Sequence, residues 1–321
     1  ILKYLSGQLG WETQLVQMPE ECSAGRLRRA LREGVDGFIL DLLDAKAIED
    51  VVVPTKTPKV LFDADLREGA GGNTIMVHNS QADIARKAAA HFLARRSAFR
   101  SFAFAPLPES NPWTPQRGIA FAKHLASFGI DCAQLDGVAL RDLAEQLKAL
   151  QKPAALLAGN DVRALDVLAA AKRAKLNVPG DVSVLGIDDD PFLCETSRPK
   201  LSSVRIGFEQ EGFLAAKALD SLIAHRTGRI ETIDVDAECI VVRDSTVPAG
   251  NALALVQRAD DYIAKHALEG IGVEHVVRHL HVSRRLLYLR FAEIRRESVH
   301  AAIERARLEE VKRRLRDTTL S

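Results

Sequence analysis

Short apolar runs alternate with amphipathic stretches along most of the chain. Gly37-Phe38-Ile39-Leu40, Lys59-Val60-Leu61-Phe62, Ser101-Phe102-Ala103-Phe104, Ala154-Ala155-Leu156-Leu157 and Val182-Ser183-Val184-Leu185 are compact runs that suit buried strands. Between them lie segments with helical period, at 25–32, 81–95 and 161–174. Val178-Pro179-Gly180 supplies a helix stop and a turn. Buried strands separated by helices predict βαβ units and parallel sheets. Up to about Val247 there is enough chain for two such lobes.

In open α/β sheets, ligands sit beyond the carboxyl ends of the strands, so the polar residues just after each apolar run are the candidates for chemistry. They are Asp63, then Asn160 with Asp161, then Asp188, Asp189 and Asp190, with Arg117 at the start of a helix after Phe104. Taken singly, each suits a helix cap or loop, because Asp and Asn bond nearby backbone there. Together they mix carboxylates, an amide and a guanidinium. That inventory suits a polyol, since carboxylates and amides accept from hydroxyls and Arg donates a fork of N–H groups.

Beyond Pro248-Ala249-Gly250-Asn251 the pattern becomes helical throughout. Val273, Val276, Val277 and Leu280 make one apolar face, and Val282-Ser283 makes a short turn with Ser283 as a helix cap. A second helix follows with Leu287, Phe291 and Ile294 inward and Arg284, Arg285, Tyr288 and Leu289 outward. A third helix, from about Val299 to Arg316, is rich in Arg and Lys, suited to phosphate contact or to solvent. Two short helices, a tight turn and a basic outer face fit a helix-turn-helix in the major groove of DNA. An ordinary helical hairpin has the same spacing.

Charge tips that balance. The 321 residues carry a net charge of only +1. From 251 to the end there are 14 Lys/Arg against 10 Asp/Glu, and from His275 to Arg316 there are 12 against 5. A basic end on a faintly acidic body points to a nucleic-acid module attached to something else. Apolar residues are 47 % and charged ones 27 %, a globular composition. No apolar run approaches the roughly 18 residues of a membrane helix, and no basic segment followed by an apolar one opens the chain. Cys22, Cys132, Cys194 and Cys239 form no C-x-x-C pair, which suits a reducing cytoplasm rather than a zinc knuckle or a disulfide scaffold. His275 and His279, four apart on one helix, have no further ligands nearby and read as surface residues.

Two resemblances organise these readings. Asn79 with the helix after it, "LLAGNDVRALDVLAAAKRAKLNVPGDVSVLGIDDD", "RPKLSSVRIGFEQEGFLAAKALDSLI" and "VVRDST" resemble the effector domain of the lac-repressor (LacI) family. The segment from 259 on, with Val282-Ser283-Arg284-Arg285, Leu287, Phe291 and Arg307-Leu308, is similar to the first half of an arabinose-regulator (AraC) type DNA-binding domain. A sensor of the first kind before a tail of the second resembles the xylose operon regulators, as does "LCETSRPKLSSV". The implied fold class is α/β, a two-lobed periplasmic-binding-protein-like (type I) sensor with parallel sheets, followed by an all-α helix-turn-helix domain. The implied boundaries are 1–248 for the effector domain, 249–256 for a linker and 257–321 for a partial DNA-binding domain.

The resemblance places effector contacts on Asp63, Arg117, Asn160 and Asp188, with Trp11, Phe208, Phe192 and Trp113 as aromatics on which a sugar ring could stack; core packing accounts for each of these four as well. DNA contacts fall on Arg284, Arg285, Tyr288, Leu289 and Arg290, with Arg284 a phosphate contact and Leu289 able to touch only a thymine methyl. The chain departs from the pattern at three places. Ala120 replaces a Gly, Val277 an Ala, and His281 the Gly expected in the turn, where His tolerates left-handed backbone better than most residues. The resemblance also implies a strand before Ile1 and a second helix-turn-helix after Ser321, so the chain reads as a piece clipped at both ends.

The function these readings imply is a cytoplasmic, homodimeric transcription regulator. It would hold a pentose, xylose first among them, between its lobes, and bind double-stranded DNA without cofactor, metal or membrane. Two other classes remain open. One is the sugar-binding component of a transporter, against which the basic helical tail speaks. The other is a sugar-acting enzyme using Asp188, Asp189 and Asp190, for which no His, Cys or Glu stands beside them at ligand spacing and no phosphate-binding glycine motif exists.

Overall fold

The computed structural model describes residues 7, 10–15, 23–41, 48–63, 72–108, 113–225, 230–247 and 252–317. The chain divides into two compact units. Unit 1 comprises Ile1–Ile84, Asn111–Gln116 and Ile206–Ala237; unit 2 comprises Ala85–Ser110, Arg117–Arg205 and Glu238–Ser321.

In unit 1 the elements are α1 (Ser23–Glu33), β1 (Phe38–Leu40), β2 (Lys59–Phe62), β3 (Thr74–Asn79), the start of α2 (Gln81–Leu93), α7 (Phe208–His225) and β9 (Ile230–Val235). Their sheet runs β1-β2-β3-β9, parallel throughout. A parallel sheet must be covered on both faces. Here Val60, Ile75 and Val77 meet Ala215, Leu219 and Leu222 of α7 on one side. Leu40 and Leu61 meet Leu27 of α1 with Val51 and Val52 on the other.

Unit 2 holds β4 (Ser101–Ala105), α3 (Trp113–Ala126, from Arg117 on), β5 (Cys132–Gln134), α4 (Leu140–Ala149), β6 (Ala154–Ala158), α5 (Asp161–Arg173), β7 (Val182–Asp188), α6 (Pro191–Thr196), β8 (Ser202–Arg205) and β10 (Cys239–Val241). The sheet order is β10-β8-β7-β6-β4-β5, parallel except for β10. β6 and nearly all of β7 are buried, as their unbroken apolar runs require. Leu143, Leu147, Leu156, Val167 and Val184 form part of the core on one face. This is the α/β architecture with two parallel sheets that the alternation predicts.

Unit 2 continues into four helices, α8 (Ala252–His266), α9 (Val273–Leu280), α10 (Arg284–Arg295) and α11 (Val299–Asp317). They share one apolar cluster, including Leu255, Ile263, Val276, Leu280, Leu287, Phe291 and Ile303. α8 starts at Ala252 with Leu255 and Val256 buried, so the helical module begins inside the stretch assigned to a linker; residues 248–251 lie outside the described residues. Between α9 and α10 the chain turns through His281 at φ +51°, ψ +48°, the left-handed conformation that Gly usually takes. Ser283 Oγ then accepts from Leu286 N–H at 3.1 Å and caps α10. The expectation for Ile294 does not hold. Leu286, Leu287 and Phe291 form the inward arc of α10, and Ile294, in its last turn, is 38 % exposed.

Candidate functional site

The carboxyl ends of β4, β6 and β7 lie side by side in unit 2, and they gather three of the predicted residues. Asn160 follows β6 with extended backbone, and its Oδ1 accepts from Arg163 N–H at 2.8 Å, capping α5. Arg117, buried in α3, donates through Nη1 to the carbonyl of Gly159, so it is fixed beside Asn160. It stands in the second turn of α3 rather than at its start. Asp188 ends β7 opposite Arg205 at φ +109° and is half-buried.

The neighbours of these residues have structural work. Asp161 is buried; its Oδ1 accepts from Ser203 Oγ at 2.6 Å, and its Oδ2 accepts from Asp190 N–H at 2.8 Å and from Cys194 Sγ at 3.3 Å. Burial pushes its carboxyl up to about 6, against the pull of these hydrogen bonds. Asp189, at φ +55°, is paired with Arg243 Nη1 at 2.7 Å and with Arg205 Nε at 2.8 Å. Asp190 caps α6 by accepting from Leu193 N–H at 2.9 Å. Two of the three consecutive aspartates are therefore committed to the fold, which weakens the enzyme alternative that drew on them. Among the described residues no group of His, Cys, Asp and Glu is placed to hold a metal ion.

Unit 1 has its own polar cavity, of about 240 Å³, at the carboxyl ends of β2 and β3. Its walls include Asp63, His78, Asn79, Gln81, Trp113 and Gln116. Asp63 sits at φ +46°, with its Oδ1 3.7 Å from His78 Nδ1 and without a hydrogen-bond partner among the described residues. Asn79 Nδ2 donates to Glu211 Oε1 at 3.2 Å, while its Oδ1 is buried and unpartnered. Burial first, and then the charge of Asp63, push the Glu211 carboxyl up to about 7. Two buried acceptor atoms without donors among the described residues and a nearby indole give this cavity the chemistry of a hydroxyl-rich ring ligand.

Of the four aromatic candidates, Trp113 lines this cavity, and Phe192 is 74 % exposed in α6. Trp11 is half-buried against the apolar cluster of β2, β3 and α7, and Phe208 is 55 % exposed at the first position of α7. Reading the sequence missed His78 and Glu211 in unit 1, and Arg243 and Ser203 in unit 2. The signal for Arg243 was present: a charge set directly after the apolar run Ile240-Val241-Val242.

On the helical module, Arg285 and Leu289 are exposed on α10, and Arg285 makes no ion pair among the described residues. Arg284 pairs with Glu274 at 2.9 Å and lies over the Tyr288 ring, 5.6 Å from its centroid. Arg290 turns to Glu293 at 2.7 Å, and its side chain is only 13 % exposed. The basic third helix is less free than its charge suggests. Arg305 pairs with Glu297 and Arg314 with Glu310, while Arg307 donates to the carbonyls of Ala267 and Ile271. His279 stacks on Tyr262 with centroids 4.1 Å apart, and His275 Nδ1 accepts from Gly272 N–H at 3.0 Å.

With this geometry in place, the similarities to known proteins are informative. The family described as periplasmic binding protein-like domain matches residues 89–246. The chain is 31 % identical over 304 residues to the xylose operon regulatory protein of Escherichia coli (strain K12), covering 89 % of this chain and 75 % of that protein. It is 26 % identical to the protein of the same description from Haemophilus influenzae, with 89 % and 76 % covered. Among solved structures, a xylose-binding transcription activator superposes with a TM-score of 0.59 at 26 % identity, covering 89 % of this chain and 81 % of the other.

Proposed function

The chain belongs to the family of the xylose operon regulatory proteins, and from that premise we propose that it is a DNA-binding transcription regulator whose effector is a pentose, xylose first among them. The observation that carries the reading is the span of the similarity: 304 aligned positions over 89 % of the chain, more than the sensor-type α/β part alone can supply. A transport component has no use for the helical module. The relatives are regulators of transcription rather than enzymes, and we read this chain as no enzyme, working in the cytoplasm as a homodimer. Among the described residues no helix is long and apolar enough to cross a membrane.

In this reading the sugar hydroxyls donate to Asp188 and Asn160 and accept from Arg117 in unit 2, while Asp63 and Asn79 of unit 1 offer acceptors of the same kind. Burying a hydroxyl without a partner costs about 1–3 kcal/mol, so matched acceptors set specificity for a polyol over an apolar ring. Base contact is assigned to Arg285 and Tyr288, and phosphate contact to Arg284. Binding of sugar changes DNA affinity only as far as it favours one arrangement of the helical module over another. Calorimetric titration with D-xylose tests the site. Asp188→Ala is expected to lower affinity at least about tenfold, the loss of one hydrogen bond to a charged group. Equal affinity in wild type and variant would remove Asp188 from the site.

A further inference from the structure

The last strand of the larger sheet meets the helical module directly. Val242, one residue beyond β10, forms an isolated parallel bridge with Val282. Its N–H donates to the carbonyl of His281 at 2.6 Å, and its carbonyl accepts from Ser283 N–H at 3.2 Å. Its side chain packs against the apolar cluster of the helices. The bridged residues are the turn itself: His281 supplies the left-handed bend and Ser283 caps α10.

The next residue, Arg243, is buried and points back into the sheet. Its Nη1 donates to Asp189 Oδ1 at 2.7 Å and to the Leu201 carbonyl at 2.9 Å, its Nε to Glu195 Oε1 at 2.8 Å, and its N–H to Ser202 Oγ at 2.7 Å. Asp189 follows Asp188, and both hold positive φ. One peptide therefore separates the effector end of β7 from the ion pair, and one more separates that ion pair from the turn. A close-packed interior passes such a displacement on rather than absorbing it.

We propose that Arg243 is a positioning residue that couples occupancy at Asp188 to the helix-turn-helix turn through the bridge at Val242. This rests on the reading that Asp188 contacts the effector. Movement at Asp188 shifts Asp189, Asp189 shifts Arg243, and the Val242 peptide carries the shift to His281 and Ser283. The turn sets where α10 begins, so the bridge fixes how Arg284 and Arg285 are presented.

Hydrogen exchange on the full chain, with and without D-xylose, tests this. In wild type the sugar is expected to change exchange over residues 278–290 by about fivefold or more, the low end of common couplings. Arg243→Gln and Val242→Pro are expected to bind D-xylose within about threefold of wild type while losing that response. Removing the guanidinium leaves Asp189 to Arg205 and Glu195 to Lys200 alone, takes away their buried partner, and can unfold the unit. Val242→Pro removes the N–H that meets His281 while leaving the ion pairs of Arg243 in place, and it decides the matter in that case. A folded Val242→Pro that keeps the response, or a sugar-bound wild type without one, overturns the relay. If D-xylose does not bind wild type, the effector reading falls instead. The link is then read without sugar: Asp189→Asn is expected to speed exchange over 278–290 about fivefold, with β6 unchanged, and equal rates overturn it.

Discussion

Gly186 is the position where a single methyl group tests the strand-end architecture most sharply. A Cβ there would lie 2.1 Å from Asp161 Oδ1 and 3.0 Å from Leu201 Cδ2. The carboxylate has no room to retreat without breaking its bonds to Ser203 Oγ at 2.6 Å and Asp190 N–H at 2.8 Å. Hydrogen bonds to a charged group contribute about 1.5–3 kcal/mol each, so displacing Asp161 costs about 3–5 kcal/mol. Replacing Gly by Ala returns about 0.4–1 kcal/mol by stiffening the unfolded chain. Gly186→Ala is therefore expected to destabilise by about 2–4 kcal/mol, a fall in Tm on the order of 5–15 °C for a unit of this size.

Thermal unfolding followed by circular dichroism measures that fall. The diagnostic step is a double-mutant cycle with Asp161→Ala. If the clash is with the carboxylate, Gly186→Ala costs little once Asp161 is gone, and the two changes are non-additive by about 2 kcal/mol. Additive losses, or a Tm for Gly186→Ala within about 1 °C of wild type, would refute the account. The glycine would then be there for some other reason than room for Asp161.

Glu211 gives a pH signature. Its carboxyl, raised from 4.5 to about 7 in the fold, contributes stability that is fully present below about pH 4.5 and lost as pH rises through about 7. The Tm of wild type minus that of Glu211→Gln should therefore grow on acidification from about pH 8 to about pH 5; a constant difference argues against the burial of that charge. Arg307→Ala should destabilise the helical module by about 1–3 kcal/mol through the carbonyls of Ala267 and Ile271, without changing the salt dependence of DNA binding. A smaller salt slope would make Arg307 a phosphate contact. Arg285→Ala should relax base preference by about 1–3 kcal/mol at one position, and a loss that is uniform across DNA sequences would assign it to the backbone instead.

The strands that were legible in the sequence are those that are buried on both faces. Ala154–Ala158 has no polar residue and Val182–Leu185 has only Ser183, itself buried, so composition marks them. β8 escaped notice because it reads Ser-Ser-Val-Arg. Its serines are buried, and they serve partners distant in sequence: Ser202 Oγ the carbonyl of Arg243, and Ser203 Oγ the Asp161 carboxylate. Polar residues that are satisfied only across the fold look like loop until the partner is known. β3 was missed for a related reason, since His78 and Asn79 end it with side chains that the cavity of unit 1 uses. The turn between α9 and α10 was easier to see, because caps and turns are local. Ser283 and the left-handed residue before it act within a few positions of themselves.

The same distinction separates what the strand ends disclose from what they conceal. Asp188, Asp189 and Asp190 are one residue type in one run, and sequence offers no ground for giving them different tasks. The structure divides them by backbone direction. The sharp positive φ of Asp188 and Asp189 sends Asp189 inward to Arg243 and leaves Asp190 to cap α6. An ion pair between groups this buried gains little net stability, because desolvation offsets the attraction. What the pair does supply is direction: it fixes Arg243 against Asp189 and Glu195, and so holds the strand that carries Val242. A regulator that worked by the proposed relay would need that rigidity more than the stability, since a loose connection at this point would leave the turn indifferent to bound sugar.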